Sequence, residues 1–240
     1  MTISNRWRIV VTAAFILCVA VFVGSNLCAQ EKAPAKGAPA KKYYPDGTPT
    51  RAIQSLDDLL DDFIVKEHDG VLTAADEAHN RELKQKILHG TFDIRELAKL
   101  SLAKHWDGLS GGERERFVGL LTDLLEEKAL FSKEQSAAKS KNGGKYFIVY
   151  RGHKFEDPGK DRSFVKTKVV VPSENVDIEL DYRLKKVSSD WRIYDIIVDE
   201  ASLVDNYKYQ FDSIIKKHGY PDLVRRMSEK LTKIRTDRKK

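Results

Sequence analysis

The chain has 240 residues, 41% hydrophobic and 32% charged, which suits one globular domain with extensions and excludes collagen-like, wholly disordered and multi-span membrane classes. Its formal charge of +6 is uneven: Ala201 to Lys240 carry 11 basic and 5 acidic residues, while Gln30 to Glu200 is nearly balanced. A basic end suits an anionic membrane surface or an acidic partner, or is simply a solvated helix face; the balance elsewhere argues against nucleic acid.

The first element is a targeting segment. Arg6 and Arg8 precede an apolar run from Ile9 to Val23, broken only by Thr12, and small and polar residues lead on to Ala29. As a helix the run spans about 22 Å against a hydrocarbon core of roughly 30 Å, so residues 1–29 read as a cleavable secretory signal peptide. An uncleaved N-terminal anchor is the alternative, and the bulk of Asn26 and Leu27 disfavours lipidation at Cys28. Both cysteines, Cys18 and Cys28, lie in this segment. A chain cut after Ala29 has no disulfide, thiolate metal site or cysteine nucleophile.

Residues 30–50 read as a flexible linker. Glu31 to Lys42 holds no large apolar side chain to offset the entropy of ordering, and Pro45, Gly47 and Pro49 keep the next stretch irregular through Arg51. The domain proper spans residues 51–236, followed by a basic tail over residues 237–240. It begins with a helical stripe of Ile53, Leu56, Leu59, Leu60 and Phe63, set opposite Asp57, Asp58, Asp61 and Asp62. Thr73 and Asp76 cap a second helix reaching about Leu88. A third is expected from Asp93 to His105, burying Ile94, Leu97, Ala98 and Leu102. Ser110 and Glu113 have capping-box spacing and open a long fourth helix with Phe117, Leu120, Leu121, Leu124 and Leu125 facing inward.

Around Gly143-Gly144 the hydrophobic period changes from about four to two. Tyr146–Arg151, Ser163–Val171, Val176–Val187 and Asp190–Val198 are expected as strands joined by short turns at Pro172–Asn175 and Ser188–Asp190. In the third, Val176, Ile178, Leu180, Tyr182 and Leu184 alternate with Asp177, Glu179, Asp181 and Arg183, which predicts one dry and one wet face. Leu203, Tyr207, Phe211, Ile214 and Ile215 then form a helical stripe. Gly219 and Pro221 mark the break before a last helix with Leu223, Val224, Met227 and Leu231 inward. The predicted class is α+β: an antiparallel sheet of about four strands packed against N- and C-terminal helices.

Motifs for catalysis are missing. The six histidines are scattered without HExxH or comparable ligand spacing, and there is no GxSxG elbow or Gly-rich phosphate loop after a strand. Asp195, in an otherwise apolar strand, is either a buried polar anchor or a residue turned to solvent. Trp106 and Trp191 are expected to anchor packing.

Three stretches carry a resemblance to a known family. Phe92-Asp93-Ile94, Ala98, Leu102, His105-Trp106, Leu109-Ser110, Glu113 and Phe117 are similar to the "fd…a…lg.hW…t.eq…F" segment of the MlaC (toluene-tolerance) family. Tyr182-Arg183-Leu184 with Trp191 to Val198 resembles its strand pair ending "Wkv.Dv.v". Ser202-Leu203-Val204, Asn206-Tyr207 and Gln210-Phe211 resemble its "gvSlv.nyr.qF..il...G" run. Order and spacing agree from about Arg51 to Leu231; Gly111-Gly112 and the polar stretch Gln135–Lys145 depart from the pattern.

This resemblance implies a periplasmic carrier that holds phospholipid as cargo, with no other cofactor, in an apolar cavity between sheet and helices. It implies exchange with an outer-membrane lipoprotein–porin complex and an inner-membrane ABC transporter complex, in maintenance of outer-membrane lipid asymmetry, and no enzymatic step. From the dry side of the sheet the candidate lining residues are Val169, Val171, Leu180, Tyr182, Ile193 and Ile197, with Phe117, Leu121, Leu124 and Phe211 opposite. Taken one at a time, each suits plain core packing better than cavity lining; the likeness, not the periodicity, makes the interior a hollow. Two other classes remain open: a pocket-containing enzyme of isomerase-like type, and a non-lipid envelope adaptor.

Overall fold

Five of the six α-helices among the described residues begin where a side chain accepts a backbone N–H that has no partner within the helix. Thr48 accepts from Arg51 N at 3.3 Å and starts α1 (Pro49–Asp61) within the stretch expected to be irregular, because proline suits a first helical turn. Thr73 and Asp76 form a reciprocal capping box for α2 (Ala74–Thr91). Asp93 accepts from Glu96 N at 2.9 Å to open α3 (Ile94–Leu102). Ser110 and Glu113 do the same reciprocally for α4 (Gly111–Lys139). Ser202 caps α5 (Leu203–His218), and Gly219, at φ 84°, separates it from α6 (Tyr220–Asp237). The computed structural model describes residues 42–64, 72–139, 147–171 and 176–237. The signal segment, most of the linker, the change of period at Gly143-Gly144, the turn at 172–175 and the last three residues lie outside them.

The third helix is shorter than its sequence suggests. Ala103 takes φ 47° and ψ −122°, and a single 3-10 turn over Ala103–His105 comes next. That region of backbone space costs a residue with a Cβ about 1–3 kcal/mol.

The sheet is an antiparallel meander ordered β1 (Phe147–Phe155), β2 (Arg162–Val171), β3 (Val176–Val187), β4 (Asp190–Val198) and β5 (Ala201–Ser202). The fifth strand is a two-residue addition to the four expected. The first runs beyond Arg151 because Gly152, at φ 88°, sits at a register shift between Tyr150 and His153 and lets pairing resume. Val165 faces Tyr182 and Val169 faces Ile178, so the alternation expected for β3 is realised: Leu180, Tyr182 and Leu184 are buried, and Asp177, Glu179, Asp181 and Arg183 are more exposed.

A second register shift changes β4. Arg183 pairs with Asp195 but Leu184 pairs with Ile193, so the strand holds one extra residue there. Ile193 and Ile196 therefore share the dry face with Leu184 and Tyr182, while Ile197 pairs with Asp181 on the other side. Simple alternation puts Ile193 and Ile197 on one face; the bulge separates them.

α1, α2, α3 and α5 approach the sheet directly, whereas α4 has its closest backbone neighbours in α2, α3 and α6. Glu96 ties α3 to the sheet through Arg162 on β2 at 2.5 Å and Lys185 on β3 at 3.0 Å.

Candidate functional site

The dry face of the sheet and the inner faces of α4 and α5 bound one continuous apolar interior. Phe117, Leu121, Leu124, Val169, Leu180, Tyr182, Ile193 and Phe211 all belong to a single buried cluster, with Val165, Leu184 and Ile196 beside them. Phe117, Leu121 and Leu124 fall on one side of α4 by helical spacing. The Phe117 ring meets Phe211 edge-on at 5.7 Å, and Phe211 stacks on Tyr207 at 5.2 Å. Burial pushes the Tyr207 phenol up to about 12. Ile197 is buried but stands outside this cluster, behind β5, where it pairs with Ser202. Val171 ends β2, and its side chain lies outside the described residues.

One wall of the interior is polar, and there Asp57 departs from the expected solvent-facing placement that Asp61 and Asp62 keep. Asp57 is buried on the sheet side of α1 rather than facing solvent opposite the apolar stripe. Tyr150 OH on β1 donates to Asp57 Oδ2 at 2.9 Å. Thr50 Oγ1 lies 2.8 Å from His153 Nδ1, while Gln54 Oε1 accepts from Tyr44 N and Gln54 Nε2 donates to Lys42 O, both at 2.8 Å. Burial first, and then the charge of Asp57, hold the Tyr150 phenol well above its ordinary range; burial lowers His153. The seam binds residues 42–44, expected as linker, onto α1. Its signal was available: Thr50, Gln54 and Asp57 recur at helical spacing beside Ile53 and Leu56, so that both sets reach the sheet.

Asp195 resolves as an anchor. Only 1% exposed, it accepts from Ser202 Oγ at 2.7 Å and Val204 N at 3.0 Å. Burial raises its carboxyl, and the two hydrogen bonds work against that rise. It faces away from the interior, on the same side as Arg183. Trp191 donates from Nε1 to Gly47 O at 3.0 Å, and Trp106 is buried against Arg95 and Arg114.

The basic end is partly neutralised within the fold. Arg225 and Arg226 both bind Asp222, Arg225 also binds Glu229, and Arg235 reaches Asp123 and Glu127 on α4. Between α4 and α6 lies a surface groove of about 790 Å³, lined in part by Arg116, Tyr220, Val224 and Lys233. It contains none of the ten candidate lining residues, although Tyr220 on its wall packs against Phe117 with ring centroids 6.3 Å apart. Among the described residues no group of three or more His, Cys, Asp or Glu side chains is placed to hold a metal ion.

Fold and site together define an α+β protein whose meander and helices gather their large apolar side chains into one interior, with the buried carboxylates Asp57, Glu96 and Asp195 each bonded to a partner. The chain belongs to the MlaC family: the family model described as MlaC protein matches residues 58–229. Among solved structures, the phospholipid-binding protein from Ralstonia solanacearum, in complex with a phospholipid, shares the fold with a TM-score of 0.58 and 17% identity, over 78% of this chain and 98% of that one. No curated protein matches the chain.

Proposed function

We propose that the protein is an exported phospholipid carrier: it takes acyl chains into the apolar interior, keeps the head group near solvent, and makes or breaks no bond. The observation that carries this reading is the likeness in fold to a protein solved with a phospholipid bound, across 98% of that protein's length. Burial of a tail is worth about 0.8 kcal/mol per CH2, so an interior lined by aliphatic and aromatic side chains can offset the cost of drawing a lipid from a bilayer. Candidate lining residues are Phe117, Leu121, Leu124, Val169, Leu180, Tyr182, Ile193 and Phe211, on facing elements of the one cluster.

In this reading residues 1–29 direct export to the periplasm. The carrier exchanges its cargo with an inner-membrane ABC transporter complex and an outer-membrane lipoprotein–porin complex, and the transporter supplies direction. Asp195 does not favour the enzyme alternative: its carboxylate is engaged by Ser202 and Val204 and faces away from the interior. The test is native mass spectrometry of the purified mature protein, followed by lipid extraction. One phospholipid per chain is the expected result. A chain that carries no lipid and takes none up from vesicles refutes the carrier.

A further inference from the structure

The connector between α3 and α4 is strained at one point and clamped at another. Ala103, at φ 47°, occupies a backbone region that favours glycine, yet its amide still donates to Lys99 O and its carbonyl accepts from Trp106 N at 3.0 Å. The next two residues are held by a single carboxylate on α5. Asp212 Oδ1 lies 2.8 Å from His105 Nε2 and 3.1 Å from Lys104 Nζ, and Asp212 Oδ2 lies 2.7 Å from Lys216 Nζ. Hydrogen bonds from Lys216, His105 and Lys104 hold this carboxyl well below the usual range. On the other side, Arg114 of α4 donates to the carbonyls of Trp106 and Asp107, both at 3.1 Å. The connector is thereby fastened to α5 through side chains and to α4 through its own backbone.

This clamp adjoins the proposed lining. Phe211, next to Asp212 in sequence, is the ring that Phe117 meets at 5.7 Å. Phe117 begins the α4 face that continues through Leu121 and Leu124. Any shift of the connector relative to α5 therefore acts on the ring contact through which α4 meets α5 beside the proposed lining. The clamp is also open to competition: the side chains of Lys104 and Lys216 are 63% and 60% exposed, and exposed ion pairs exchange readily with water and ions.

We propose that Ala103–Ser110 is a sprung latch, in which the strained Ala103 backbone favours release, the Asp212 clamp holds the connector closed, and its release lets the start of α4 part from α5 and open the interior. What passes through the opening rests on the carrier reading; the latch itself does not.

The two halves of the device predict opposite effects. Asp212→Asn removes the charge that gathers Lys104, His105 and Lys216, whereas Ala103→Gly removes the strain and leaves the clamp intact. The test is amide hydrogen–deuterium exchange across residues 103–117 of the purified protein, with β3 as the internal control. Asp212→Asn should speed exchange there by about tenfold, and Ala103→Gly should slow it by about fivefold, with β3 unchanged in both. Unchanged connector exchange in Asp212→Asn, or faster exchange in Ala103→Gly, overturns the latch, as does an equal rise in β3, which would mark general destabilisation.

A second measurement tracks transfer of fluorescently labelled phosphatidylethanolamine from each variant to phosphatidylcholine vesicles. Transfer faster in Asp212→Asn and slower in Ala103→Gly supports the latch, and equal rates in all three proteins count against it as the gate. Failure of the parent protein to load labelled lipid refutes the carrier, while connector exchange still decides the latch.

Discussion

A carboxylate buried in a strand is costly unless its oxygens are bonded, and Asp195 has both engaged. Its partners are the cap residue of α5 and an amide in the first turn of that helix, so the side chain fixes where the sheet ends and the helix begins. Asp195→Ala leaves Ser202 Oγ and the Val204 amide without their acceptor. It should lower stability by about 2 kcal/mol, read as a shift in urea midpoint, while Asp195→Asn should lose less. The sequence showed that Asp195 stood among apolar neighbours but left its facing open, because one residue's orientation depends on strand register. Asp57 misled for a related reason. Its charge suggested solvent, and only the approach of β1 supplies the Tyr150 hydroxyl that accounts for its burial.

Helices and strands differ in how far sequence determines their exposed and buried sides. Caps are local, so Thr73 with Asp76 and Ser110 with Glu113 could be read from spacing alone, and the structure places helix starts there. Bulges are not local: the extra residue in β4 arises from pairing with β3 and moves Ile197 off the face that holds Ile193. Ala103 is a similar case, since no side-chain pattern marks an alanine held at positive φ by the tertiary fastening of its connector. The α4 face offers a test of lining against packing. Leu121 and Leu97 are each 1% exposed; on the carrier reading Leu121 exchanges part of its packing for cargo, so in lipid-free protein Leu121→Ala should cost about 1 kcal/mol, whereas Leu97→Ala in the α3 core should cost about 3 kcal/mol. Equal losses on denaturant unfolding would mean that Leu121 is packed like any core residue.

At the scale of the molecule, binding and stability are linked. Cargo that binds only the folded state stabilises it by about 2.7 kcal/mol at a free concentration one hundred times the dissociation constant. On the carrier reading, stripping lipid should therefore lower the melting temperature, and adding phospholipid should restore it; a melting temperature indifferent to lipid would contradict cargo binding in the interior. The amino-acid sequence alone determined the α+β class, the order of helices and strands, most helix starts and the membership of the dry face of β3, because periodicity and capping depend on neighbours a few residues away. Tertiary structure alone decided which face Ile197 and Asp195 occupy, the polar seam from Thr50 to Asp57, the pairing of Arg235 at the basic end with Asp123 and Glu127, and the strained, clamped connector at Ala103. Those features need partners as far apart as Glu127 and Arg235, and a side chain's charge or size does not say which distant group will meet it.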